Sequence, residues 1–314
     1  MEQNAVIEKA QNILQEVRKA VVGKDNVLIW VLAAILSGGH ILMEDIPGVG
    51  KTTMALAFSK VLDLDYARVQ FTPDVLPSDV TGYSVPNPAG GMTYQPGAVL
   101  CNLFLADELN RATSRTQSAL LEAMEEGQVT VDGVSHPLPK PFVVIATQNP
   151  TGAAGTQLLP DSQMDRFILR LSLGYPSAKD EVAMVLNRQG GNPLQALEPL
   201  LNRETLIALQ DTVAATHVHP EVVQYAVDLI NATRNDENIL RGASPRATLA
   251  VIAMAKALAQ LRGRDYVLPA DVSEVFPRTV EHRLLLSPKG EGSGKSAQRI
   301  LQDILARIGA PKLH

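Results

Sequence analysis

The sequence predicts an α/β fold, in which a parallel sheet is built around a phosphate-binding loop and followed by an all-α domain. Three observations predict it. First, Asp45-Ile46-Pro47-Gly48-Val49-Gly50-Lys51-Thr52-Thr53 lies between a short apolar run, Ile41 to Met43, and a helical pattern, Met54 to Leu62. Strand, glycine-rich turn, Gly-Lys-Thr and helix is the order in which backbone N–H groups cradle phosphate oxygens at a helix N-terminus. Second, the apolar runs Val99 to Ala106 and Phe142 to Thr147 end in Asp107-Glu108 and Gln148-Asn149. Both would bring polar residues to the strand ends where open α/β sheets bind ligands. Third, beyond Gly174-Tyr175-Pro176 the strand signals stop and helical periodicity takes over.

Composition sets the limits. At 314 residues and 46% hydrophobic, the chain can bury a sizeable core and suggests two domains. A net charge of −5 argues against a dedicated nucleic-acid surface. The longest apolar run, Val27 to Leu36, falls well short of the ~20 residues of a membrane span. Met1-Glu2-Gln3-Asn4 does not open a signal peptide. A soluble, cytoplasmic protein is therefore expected. The single cysteine, Cys101, sits in an apolar run and reads as a small buried hydrophobe rather than a nucleophile.

In chain order, residues 5 to 20 carry Val6, Ile7, Ala10, Ile13, Leu14 and Val17 at helical spacing, and residues 26 to 37 form a second apolar helix. Between them, Val21-Val22-Gly23 either presses against a nucleotide base or simply joins two helices. In the loop, Lys51 would hold the β- and γ-phosphates and Thr52 would ligate magnesium. Asp45 stands where the leading glycine of such loops is usual. Repulsion keeps its carboxylate from the phosphates, so it faces outward or bonds a nearby backbone N–H. Arg68 to Phe71 reads as a strand. Thr72 to Gly97 is rich in Pro and Gly, with Gly90-Gly91 between possible short strands, and a segment this long is usually functional.

Asp107 would orient the magnesium shell and Glu108 would polarise the attacking water. Residues 114 to 126 form a helix stopped by Gly127, and Asp132-Gly133 marks a hairpin. Asn149 either bonds the γ-phosphate or lytic water, or is a turn former. Ile168 to Leu173 reads as the last strand. In the helical part, Pro220 opens one helix, and Ser244-Pro245-Arg246 gives another an N-cap with proline at its first position. Arg246 opposes the helix dipole there, which a bound phosphate would reverse; the alternative is an exposed surface arginine. Ser287 to Ser296 reads as a polar linker whose Gly294-Lys295-Ser296 mimics the loop with no strand before it. A terminal helix follows over 297 to 308.

The chain resembles the MoxR family of AAA+ ATPases. The resemblance rests on Ile46 to Thr52, Gln70 to Gly82, Leu105 to Ala112, Gln117 to Glu126, Ala146 to Pro150, Met164 to Phe167 and Ser244 to Arg246. It implies an AAA+ P-loop core with a five-stranded parallel sheet (residues 1–175), an all-α helical lid (176–286), and a linker and terminal helix (287–314). It makes Pro47, Gly48, Val49, Gly50, Lys51, Thr52 and Thr53 similar to the Walker A loop, and Asp107 and Glu108 to Walker B. It makes Asn149 similar to sensor 1, Arg166 to the arginine finger that acts on a neighbour's nucleotide, and Arg246 to the sensor-2 arginine. Segments 72–98 and 128–140 correspond to the two insertions of this clade. The family implies ATP and Mg2+ as cofactors, a ring that is commonly a hexamer, and chaperone-like remodelling of protein clients. Its usual partners carry a von Willebrand factor A domain.

Departures are Asp45, Ala98 and Leu100 where Pro and Phe are common, and Asp161 where Glu is common. A guanine nucleotide is disfavoured because no Asn-Lys-x-Asp stretch is present. Three rivals to an ATP-driven remodeller remain. They are a nucleic-acid motor, a metal-chelatase motor subunit, and a nucleotide-gated scaffold. Net acidity and a hairpin whose only cation is Lys140 oppose the first; intact Glu108 and Arg166 oppose the last.

Overall fold

A computed structural model describes residues 3–88, 90–149 and 159–312. Pro150, the last residue of one motif named above, lies outside the described residues. Two helices open the chain, α1 (Gln3–Arg18) and α2 (Asp25–Leu36), followed by β1 (Ile41–Glu44) and α3 (Lys51–Val61). β2 (Tyr66–Gln70) and the short helix α4 (Pro77–Thr81) lead to a hairpin of β3 (Gly82–Pro86) and β4 (Met92–Pro96). Next come β5 (Leu103–Asp107), α5 (Ser114–Glu126) and a second hairpin, β6 (Gln128–Val131) with β7 (Val134–Pro137). β8 (Val143–Gln148), α6 (Asp161–Met164) and β9 (Leu169–Leu171) complete the first part. The second part holds α7 (Ala178–Gln189), α8 (Arg203–Ala214), α9 (Pro220–Arg234), β10 (Ile239–Arg241) and α10 (Pro245–Leu261). It ends with α11 (Pro269–Val280), β11 (Leu285–Leu286), α12 (Pro288–Gly292) and α13 (Ala297–Arg307).

The expected five-stranded parallel sheet is present, in the order β2-β5-β8-β1-β9. Its central strands are buried on both faces, which is why they read as continuous apolar runs. Ile41, Met43, Leu105, Ile145 and Leu169 face one core with α1, α2 and α3. Leu42, Phe104, Ala106, Val144 and Ala146 face the other, under Leu120, Leu121 and Met124 of α5. β2 is an edge strand, so Arg68 and Gln70 can be exposed within it.

α5 begins where Thr113 Oγ1 accepts from Thr116 N, and it ends at Gly127, whose φ of 63° suits a residue without a Cβ. In the hairpin that follows, Asp132 and Gly133 both have positive φ, 50° and 78°. That is the geometry of a two-residue turn matched to strand twist. The second part is not purely helical: β10 and β11 pair antiparallel as a short ribbon. Its helices α8 and α10 pack against α1 and α2, so the two parts share one hydrophobic core.

Two expectations are corrected. The run from Val99 is extended only from Leu103. Val99 to Asn102 is a turn, where Asn102 Nδ2 donates to Pro141 O and Cys101 N to Val99 O. Those residues are apolar because they are buried, not because they are a strand. Ser287 to Gly292 is a capped helical turn rather than an open linker: Ser287 Oγ accepts from Gly290 N, and a Cβ on Gly290 would lie 2.2 Å from Asn238 O.

Candidate active site

The parallel sheet has a C-terminal edge and an N-terminal edge, and charged groups gather at both. At the C-terminal edge, β1 leads into the loop, whose Gly48 and Gly50 have φ of 86° and 101° and open space where a Cβ would point. Lys51 is the first residue of α3. Its ammonium donates to Asp45 O at 2.9 Å and Ile46 O at 3.3 Å. Burial pulls its pKa below the usual lysine value, opposed by the carboxylates of Asp45, Asp107 and Glu108.

Asp45 is buried, not outward. Its carboxylate accepts from Ser172 Oγ (2.7 Å), Leu173 N (2.6 Å) and Gly174 N (3.0 Å). Lys24 meets the same segment from the other side, donating to the carbonyls of Leu173, Gly174 and Tyr175. The connection between the two parts is thus tied at once to the phosphate loop and to the turn before α2.

Asp107 accepts from Thr147 Oγ1 at 2.7 Å and from Arg68 at 2.8 Å. Thr147 Oγ1 in turn accepts from Glu108 N, which fixes the backbone between the two acids. Glu108 has a φ of 55°, and its carboxylate pairs with Arg111 at 2.7 Å. Asn149 follows β8 at this edge, where its carbonyl accepts from Asn110 Nδ2.

Among the described residues no group of three or more acids, histidines or cysteines could hold a metal ion alone. Mg2+ keeps several waters and is commonly held by one or two carboxylates together with substrate phosphates. The hydroxyl and carboxylate of Thr52 and Asp107 fit that manner of binding.

Beside the loop, a cavity of about 490 Å³ is walled by Ala20, Val21 and Val22 on one side and by Val49, Gly50 and Thr53 on another. The third wall is Met184, Asn187 and Arg188 of α7, with the turn at 191–194. Gly23 does not line the cavity; a Cβ there would fall 2.2 Å from Asp180, so its bareness admits α7. Sequence reasoning missed the α7 wall, although 184, 187 and 188 fall on one helical face. It also missed Arg68.

Arg166 and Arg246 lie at the other edge. Arg166 precedes β9, whose Leu169 is level with Ile41 at the start of β1, and Ile168 N donates to His40 O. The length of β1, about 13 Å at ~3.3 Å per residue, separates this level from the loop. Arg166 Nε donates to Glu125 Oε2 at 2.8 Å, and Arg246 Nη2 donates to Oε1 of the same carboxylate. The two arginines hold the Glu125 carboxyl below its usual pKa. Ser244 occupies the N-cap position of α10 but makes no capping bond; its hydroxyl donates to Asp165. Arg283, buried, pairs with Asp165 at 2.7 Å and donates to Phe167 O. The backbone on both sides of Arg166 is therefore fixed.

Comparison with known proteins gives this arrangement a context. Residues 40–169 match the family model "ATPase family associated with various cellular activities", and residues 231–304 match an AAA lid domain. The chain is 42% identical to the Bacillus subtilis protein YeaC, over 95% of this chain and 93% of that protein. It is 38% identical to Chaperone MoxR1 of Mycobacterium tuberculosis, over 99% and 84%. A crystal structure from Cytophaga hutchinsonii superposes with a TM-score of 0.92 at 35% identity, covering 99% of this chain and 97% of that one.

Proposed function

Because the chain belongs to the MoxR family of AAA+ ATPases, we propose that it binds ATP in the cavity beside the loop, hydrolyses it to ADP and phosphate, and uses the cycle to remodel protein clients. One observation carries the reading. Lys51, Asp107 and Glu108 stand at one edge of the sheet, while Arg166 and Arg246 stand at the other. A single chain thus holds two halves of a phosphoryl-transfer site that cannot meet, and a head-to-tail ring of copies brings them together.

Each residue has a role in that reading. Val22 and the α7 wall enclose the base, while Gly48 to Thr53 present N–H groups to the phosphates. Lys51 leaves the carbonyls of Asp45 and Ile46 for the phosphates. Thr52 and Asp107 would hold Mg2+, which when bound would neutralise charge developing on the phosphate oxygens. Glu108 leaves Arg111 and polarises the attacking water, which Asn149 helps to orient. Arg166 and Arg246 serve the neighbour's nucleotide; Arg246 therefore acts in trans, beside the finger, and not on its own loop. The remodelled protein, or a von Willebrand factor A partner, meets the hairpins β3–β4 and β6–β7, whose Tyr83, Met92 and Val134 are exposed. We place this work in the cytoplasm.

Steady-state ATP turnover tests it. Glu108→Gln is expected to bind ATP and lose hydrolysis, because an amide cannot polarise water as a carboxylate does. Lys51→Ala and Arg166→Ala, each inactive alone, are expected to recover activity on mixing, since some interfaces then pair an intact loop with an intact finger. Wild-type turnover by Glu108→Gln would remove its catalytic role. No recovery in mixed rings verified by light scattering would remove the ring mechanism.

A further inference from the structure

We propose that Glu125 is the positioning residue for both arginines, its one carboxylate setting Arg166 and Arg246 side by side as a single two-pronged cation for the neighbour's nucleotide. The inference rests on the trans reading above. It starts from a bonding pattern. Among the described residues Arg166 is bonded through Nε and not through its terminal nitrogens, and Arg246 through Nη2. A guanidinium gripped at Nε still presents its two-pronged outer edge, the edge that matches a phosphate.

Among the described residues neither arginine makes another ion pair. Their backbones are fixed, one between Asp165 and Phe167, which Arg283 holds, and the other in the first turn of α10. Among the described residues only Glu125 fixes the charged ends. Without it, two like charges would face each other, and Arg246 would also oppose the dipole of α10. Both side chains would then spread over many rotamers.

Glu125 is itself well seated. It lies in the last turn of α5, and the preceding carbonyl, Met124 O, accepts from His40 Nε2 at 3.2 Å. His40 Nδ1 accepts from Val144 N at 3.0 Å, which fixes the tautomer and ties the end of α5 to the sheet. Leu249, 72% exposed in the same cleft, leaves an apolar surface beside the arginines that a neighbouring copy would cover.

The test uses the full chain with Glu125→Ala and Glu125→Gln, the second keeping the side chain's bulk. Both are checked for an unchanged melting temperature, and Glu125→Gln carries the test if Glu125→Ala is unstable. The expected result is a fall in kcat of about 10²-fold for Glu125→Ala, the scale of a misplaced catalytic group. A smaller fall is expected for Glu125→Gln, with KM for ATP unchanged in both because the loop is intact. Mixed with Lys51→Ala, the Glu125 variants should recover activity; mixed with Arg166→Ala they should not, because both then spoil the same side of the interface.

Full activity in both variants would overturn the proposal. So would a raised KM at normal kcat, or recovery with Arg166→Ala. The Lys51→Ala and Arg166→Ala mixture runs alongside as the control. If that mixture fails, the ring reading falls; if it recovers and the Glu125 variants do not follow the expected pattern, only the role of Glu125 falls.

Discussion

At the C-terminal edge of the sheet, Lys51 and Glu108 are held by partners nearby in the chain, while Asp107 and Asp45 are fixed by distant ones, Arg68 with Thr147 and Ser172 to Gly174. Lys51 is bonded to carbonyls five and six residues back, and Glu108 to an arginine three residues on. At the N-terminal edge, Glu125 holds residues 41 and 121 positions away. The first arrangement, for Lys51 and Glu108, stays within β1 and its loop and within β5 and the turn after it. The second exists only when α5, the segment before β9 and the start of α10 are packed together. Lys51 and Glu108 are therefore placed by local chain geometry, whereas Arg166 and Arg246 depend on how the two parts of the chain sit.

The contrast can be broken most severely at Arg166. Arg166→Lys keeps the charge but loses both Nε and the fork, so turnover should drop nearly as far as in Arg166→Ala, about 10³-fold. A kcat within a few-fold of wild type would show that a point charge suffices.

Acid should loosen the arginine edge first. Burial lowers the pKa of His40 to about 4, and protonation would cost the bond from Val144 N. The folded value lies below the unfolded one of about 6.5, so the folded chain refuses a proton that the unfolded chain accepts. Nothing is lost above pH 6.5; between pH 6.5 and 4 stability should fall by up to about 3 kcal/mol. Urea unfolding of wild type and His40→Asn across that range measures it, and identical pH slopes would refute it. His282, buried and also lowered, is present in both proteins and cancels.

The smallest effect sharpens the contrast at the phosphate edge. Asp45→Ala leaves the N–H groups of Leu173 and Gly174 without their acceptor. The expected cost is about 2 kcal/mol of stability, read as a lower melting temperature. ATP affinity should hold, because Lys51 bonds the backbone carbonyl of Asp45 and not its side chain. A changed ATP Kd at constant melting temperature would instead place that carboxylate in the phosphate site.

What was legible in the sequence follows the same division. The loop, Asp107-Glu108 and the five strands could be read because period, turn residues and charge fall in short contiguous windows. Arg166 and Arg246 stood out by resemblance, yet their shared partner did not. Glu125 is one of three glutamates in Gln117 to Glu126, and helical spacing alone does not say which one meets an arginine from each half of the chain. The cavity wall formed by α7 was hidden for a related reason. Met184, Asn187 and Arg188 line it through the placement of a helix with no fully buried residue, so no core pattern announced it. Asp45 was narrowed to two options, and only the position of Ser172 to Gly174 chose between them.

The rings of Tyr94 and His136 stack 3.7 Å apart and nearly parallel, joining the β3–β4 hairpin to the β6–β7 hairpin. A tug on either tip is thus shared by both roots. One root runs through Gly127 into α5, whose last turn carries the carboxylate gripping the two arginines. The joined hairpins and the carboxylate that holds Arg166 and Arg246 thus lie on the two sides of one residue, Gly127, so the root of the second hairpin and the arginine pair share a single helix end.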